Sequence, residues 1–120
     1  MDKSPAQLLG SERDLASARH KALSDELGAI VSSREGDNGD DEHDPEGSTV
    51  AFERERVAAL RSQASAYLVE LEQAEQGLAR GDYGRCLSCQ LPIGEERLQT
   101  LPTTQFCAAC AGSKGRRNLA

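Results

Sequence analysis

Apolar positions along this chain fall into two long helical patterns separated by a polar gap. In the second pattern Val57, Leu60, Ala64, Tyr67, Leu71, Ala74 and Leu78 follow alternating steps of three and four. That spacing is the a/d seam of a coiled coil, one apolar edge laid along a helix. It predicts a helix over about residues 51–80, with Ser48 or Thr49 as the capping residue and Gly81 as the stop. In the first pattern Leu8, Leu15, Ala22 and Ala29 recur every seven residues, and Ala18, Leu23, Leu27, Ile30 and Val31 widen the stripe. Ser4 followed by Pro5 is a start signal, which places this helix at about residues 4–34.

The gap over residues 35–50 reads as a loop. From Glu35 to Glu46 it carries seven acids and no lysine or arginine, broken by Gly36, Gly39 and Pro45. No helix is expected to persist through that density of Gly, Asn, Asp and Pro. Like-charge runs are ordinarily solvated linkers. Here the run joins two long amphipathic helices, so it becomes the acidic tip of an antiparallel hairpin. His43 reads as a solvated residue of that tip.

Composition fits this picture. Aromatic residues make up 3% of the chain, there is no tryptophan, and the mean hydropathy is −0.57, too little bulky apolar material for a conventional globular core. A net charge of −6 argues against nucleic-acid binding by bulk charge, which needs a basic surface. No apolar run is long enough to span a membrane. The Met-Asp-Lys start lacks the apolar segment of an export signal, so a cytoplasmic location is expected.

The chemistry is concentrated in residues 81–110. All four cysteines lie there as two Cys-x-x-Cys pairs, Cys86/Cys89 and Cys107/Cys110, with seventeen residues between the pairs. Each pair aims two sulfurs at one point, and two pairs complete the tetrahedral thiolate shell of a structural zinc. A disulfide framework would suit an oxidising compartment, and a thioredoxin-type redox site would need one pair in a βαβ setting. With four thiolates as ligands no coordination position is left for a catalytic water, so one structural zinc is expected. Nothing suggests an enzyme: no nucleophile–base pair, phosphate-binding glycine loop or open metal site stands out.

The expected fold is therefore mostly α: a long antiparallel coiled-coil hairpin over residues 1–80, then a small four-cysteine zinc-finger module over 81–120, with a short C-terminal helix and a basic tail (Lys114, Arg116, Arg117). A hairpin this lean in large side chains is marginal alone, and the metal is expected to stabilise its base.

The segment also resembles a known family. Asp82, Tyr83 and Gly84 precede Cys86-x-x-Cys89, then come Ile93, Arg97, Leu98 and Pro102, then Cys107-x-x-Cys110. These residues resemble the zinc finger of the DksA/TraR family of bacterial transcription regulators, and the hairpin matches in layout. The resemblance implies a monomeric protein that binds bacterial RNA polymerase without sequence-specific DNA contact. It implies a coiled coil inserted into the polymerase secondary channel, its acidic tip near the active centre, altering initiation complexes. Asp41 and Asp44 can be laid on the family's paired tip aspartates, with Glu46 where the family has alanine. The resemblance implies that members responsive to the alarmone guanosine tetraphosphate place lysines and arginines on the second helix and beside the zinc module. Nothing between Ser62 and Ala79 is basic here, and Glu70, Glu72 and Glu75 would repel a phosphate, so alarmone binding is expected to be absent or weak. The competing readings are a Gre-like accessory to transcript cleavage, with tip carboxylates holding magnesium, and a generic zinc-finger interaction module.

Overall fold

A computed structural model describes the main chain of residues 3–36 and 45–112 and the side chains of residues 3–32 and 49–112. Among the described residues the named helices are, in order, α1 (Pro5–Gly36), α2 (Pro45–Arg80) and α3 (Glu95–Thr100). The first two form the antiparallel coiled-coil hairpin, and α3 lies inside the zinc finger. Helix α2 begins at Pro45, ahead of the start expected near residue 51. Proline suits a first helical turn because its φ is already helical and its missing N–H has no partner to lose there. The heptads that follow outweigh the poor propensity of Gly47 and Ser48. No described helix is long and apolar enough to cross a membrane.

The ends of the helices are built by local chemistry. Ser4 Oγ accepts from Gln7 N–H at 3.2 Å, and Gln7 Oε1 accepts from Ser4 N–H at 3.1 Å. This reciprocal capping box satisfies two donors at the start of α1, with Pro5 as its first residue. At the end of α2 the N–H of Asp82 bonds to Gly77 O (2.8 Å) and that of Gly81 to Leu78 O (3.2 Å), with Gly81 at φ 85°. That is a Schellman closure, and it needs the left-handed residue that glycine supplies.

The chain divides into two compact units, Met1–Arg13 with Val69–Ala120, and Asp14–Leu68. In the first, Leu8, Leu9, Leu71, Cys86 and Ile93 are buried. Three side-chain ties join its pieces: Arg13 to Glu75 (3.2 Å), Gln99 Nε2 to Lys3 O (3.1 Å) and Thr103 Oγ1 to Glu70 (3.2 Å). All three are exposed, and the ion pair contributes about 0–1 kcal/mol, so packing holds this unit together. In the second unit Ala16, Val57 and Ala64 are buried, Leu23, Leu27, Ile30, Leu60 and Tyr67 are half-buried, and Arg61 Nε donates to Ser24 Oγ at 2.8 Å.

The seam of α2 follows the expected heptads, whereas α1 follows its expected stripe only in part: Leu8 is buried and Leu23, Leu27, Ile30 and Val31 are half-buried. Leu15 is 68% exposed, and Ala18, Ala22 and Ala29 also face solvent. The covered positions on α1 include Leu8, Leu9, Ala16, Leu23 and Ile30, with His20 and Leu27 between them. Beyond Leu8 the seam is thus displaced by one residue from the seven-residue series Leu15, Ala22, Ala29. This register covers Leu23 and Ile30, expected to widen the stripe, in place of Ala22 and Ala29, and stabilisation grows with apolar area removed from water.

Candidate metal centre

The first cysteine pair sits in a tight knuckle. Ile93 N–H bonds to Gly84 O (2.8 Å), Cys86 N–H to Leu91 O (2.9 Å) and Gln90 N–H to Cys86 O (2.9 Å). Arg85 and Pro92 form an antiparallel bridge. Such a turn requires left-handed backbone at two points, Gly84 (φ 85°) and Gln90 (φ 63°). A Cβ on Gly84 would also lie 3.2 Å from Leu98 Cδ1. Gly84→Ala is therefore expected to lower stability by about 1–3 kcal/mol, measurable by thermal unfolding of the zinc-loaded chain. Gly77→Ala is the control. Its Cβ would meet nothing closer than 3.9 Å, and the substitution should gain up to about 1 kcal/mol of helix propensity.

The second pair opens a helical turn at residues 108–112, with Ala111 N–H bonded to Cys107 O at 2.9 Å. Three bonds position the loop that leads to it: Tyr83 Oη donates to Pro102 O (2.9 Å), Leu87 N–H to Gln105 O (2.9 Å) and Arg97 Nε to Phe106 O (3.0 Å). Burial pushes the Tyr83 phenol pKa above its ordinary value, so Tyr83 remains a donor.

The sulfurs of Cys86, Cys89, Cys107 and Cys110 all lie within 4.8 Å of one another. The Cys89 and Cys107 sulfurs are 3.8 Å apart. A tetrahedron with zinc–sulfur bonds of about 2.3 Å has edges of about 3.8 Å, whereas a disulfide would bring two sulfurs to about 2.05 Å. All four cysteines are free thiols, so the donor set fits zinc and not a disulfide framework. One structural zinc is the cofactor of this finger. Cys86 is buried, Cys107 and Cys110 are half-buried and Cys89 is exposed.

Electrostatics in the metal-free shell divide the sulfurs. Main-chain N–H bonds, led by that of Cys89 and joined by those of Cys107 and Ser88, hold the Cys86 thiol down to about 6. Cys110 is pushed up to about 12 by the sulfurs of Cys107, Cys86 and Cys89. Without metal the shell thus favours a thiolate at Cys86 and keeps a proton on Cys110, which a metal ion would displace.

The other expected site residues lie elsewhere. Asp41 and Asp44 fall outside the described residues. Glu46 has its main chain in the first turn of α2 and its side chain outside them, and Lys114, Arg116 and Arg117 also lie outside. Beside the finger, a groove of about 800 Å³ is lined by Glu70, Gln73 and Gly77 of α2 and by Tyr83, Leu101 and Phe106. The roles of Tyr83 and Arg97 in bracing the loop have no periodic signal in the sequence, since each bonds a main-chain oxygen.

Residues 81–114 match the family model of the prokaryotic DksA/TraR C4-type zinc finger. An uncharacterized protein of Aquifex aeolicus (strain VF5) is 34% identical over 62 residues, 52% of this chain and 43% of that relative, so the chain spans less than half of its length. Among solved structures, transcription factor DksA2 from Pseudomonas aeruginosa is similar at a TM-score of 0.64 and 25% identity, over 95% of this chain and 88% of that one. The finger of residues 81–114 is thus of the DksA/TraR C4 type, and the chain as a whole is similar in fold to a solved DksA-type transcription factor.

Proposed function

We propose that this protein regulates transcription by binding bacterial RNA polymerase and placing the acid-rich segment that connects its two long helices in the secondary channel. The observation that carries this reading is a four-sulfur finger joined to an antiparallel coiled coil, whose connecting segment holds seven acids between Glu35 and Glu46. The similarity to a solved transcription factor supports it. In this reading Cys86, Cys89, Cys107 and Cys110 hold the zinc, the finger orients the hairpin base, and Asp41, Asp44 and Glu46 act at the polymerase active centre. Carboxylates there can meet basic groups or a magnesium ion. The protein acts as a monomer in the cytoplasm, contacts no DNA sequence and carries out no catalysis of its own.

Alarmone binding is absent or weak in this proposal. Glu70 forms part of the groove wall beside the finger and accepts a hydrogen bond from Thr103, and Glu72 and Glu75 share its helix. A phosphate there would meet the carboxylates of Glu70 and Asp82, and of the two arginines that also line the groove, Arg80 and Arg85, the first is already paired with Asp82 at 3.2 Å.

Purified bacterial polymerase tests the reading. The zinc-loaded chain is expected to bind polymerase, to crosslink near the active centre from a probe at residue 44, and to change the lifetime of open promoter complexes. The triple variant Asp41→Asn, Asp44→Asn, Glu46→Gln should still bind polymerase but lose most of that effect on lifetime. Full activity of the triple variant would refute the tip's role, and stimulated transcript cleavage in stalled complexes would favour a cleavage factor instead.

A further inference from the structure

The peptide bond between Phe106 and Cys107 is held at both ends. Its oxygen accepts from Arg97 Nε at 3.0 Å in a partly buried setting, and its N–H is directed to the sulfur of Cys86. Thr104 Oγ1 donates to the same oxygen at 3.2 Å, a longer contact between neutral groups. Arg97 lies on α3, within the seventeen residues that separate the two cysteine pairs. Each Cys-x-x-Cys turn forms locally, whereas bringing the two turns together requires closing that intervening loop, and closure costs conformational entropy. Tyr83 and Leu87 fix Pro102 and Gln105 farther back in the loop. Of the two described donors to the oxygen of the peptide that carries the third sulfur ligand, Arg97 is the charged one and the one that comes from α3. A hydrogen bond from a charged guanidinium is about twice as strong as one between neutral groups.

We propose that Arg97 is the positioning residue of the zinc centre, setting how tightly the metal is held by fixing the Phe106–Cys107 peptide so that Cys107 meets the sulfurs of the first pair. The proposal rests on the zinc reading of the four cysteines. Arg97 touches no metal in this scheme. It acts through a carbonyl oxygen, as partners beyond the direct ligands do in other metal sites, where their loss weakens metal binding by about 10- to 100-fold.

The test is competition for zinc between the full chain and a chromophoric chelator, together with the visible spectrum of the cobalt(II)-substituted chain. Arg97→Met is expected to weaken zinc binding by about 10- to 100-fold and to speed metal release, while the loaded variant keeps its helix content. Arg97→Lys retains a donor and should recover most of that loss, an outcome that a merely structural effect of side-chain volume or burial would not produce. Glu96→Gln, on the exposed side of α3, should bind zinc as the parent does. If Arg97→Met holds zinc as tightly as the parent, or if Arg97→Lys is no better than Arg97→Met, the proposal is wrong. Should Arg97→Met fail to load at all, Arg97→Lys decides the matter alone: near-parental affinity supports the proposal and a loss equal to that of a cysteine variant overturns it. The parent and Cys89→Ser report separately on the zinc reading. A parent without the four-thiolate cobalt spectrum would refute that reading whatever Arg97 does.

Discussion

Removing zinc from this chain, by chelation or by Cys107→Ser, is expected to unfold the finger while leaving much of the helix content in place. Among described residues of the finger, Cys86, Ile93 and Pro102 are the buried apolar ones, and Cys86 is itself a ligand. So small a core cannot offset the entropy of ordering some thirty residues, each of which costs about 1–2 kcal/mol for its backbone alone. Structural zinc supplies about 10–16 kcal/mol of apparent binding free energy in comparable peptides, and that energy becomes folding energy. Hydrogen exchange should show the amides of Cys86, Leu87 and Ile93, each bonded within the finger, losing protection when the metal is removed. The start of α1 should loosen with them, because Gln99 of the finger holds Lys3 O. Retention of amide protection in the metal-free chain would contradict this expectation.

The same site predicts a pH dependence. The Cys110 thiol is pushed up to about 12, so throughout the neutral range zinc must displace its proton. Affinity should therefore rise with pH and fall as pH drops, by about tenfold per unit for each proton released. Below about 6, where Cys86 also takes up a proton, the fall should steepen.

The second large effect concerns the seam. Leu9 is fully buried and Leu15 is 68% exposed, although both stand among the apolar positions of α1. Leu9→Ala is expected to cost about 2–5 kcal/mol, the lost transfer energy plus the cavity left behind. Leu15→Ala should change stability by less than about 0.5 kcal/mol. Denaturant unfolding of the two variants separates the registers directly: comparable losses would restore the series through Leu8 and Leu15.

That contrast shows where the sequence was legible. The finger could be read because four cysteines at two short spacings leave few geometries, and the sulfurs converge as the spacing requires. Helix α2 could be read because large residues, Val57, Leu60, Tyr67, Leu71 and Leu78, occupy one strict series. Helix α1 offers Leu8 beside Leu9 and alanines at positions 16, 18, 22 and 29, so two registers score alike when only one helix is considered. The choice is made by the partner helix, through the area that Leu23 and Ile30 bury. Tyr83 and Arg97 stand out as motif residues of the resemblance, but their bracing role was illegible for another reason: their acceptors are carbonyl oxygens, which every residue possesses.

The closure of α2 carries a consequence for how this protein can vary. Gly81 and Asp82 bond back into the last turn of the helix, and Arg85 N–H bonds to Asp82 O, so the passage into the first knuckle contains no slack. Each residue of an α-helix advances the chain by about 100° around the axis. One residue gained or lost just before Gly81 would swing the finger through that angle and pull Thr103 away from Glu70 and Gln99 away from Lys3. The joint is keyed like a shaft in a coupling, and length changes are tolerable only where they preserve its phase.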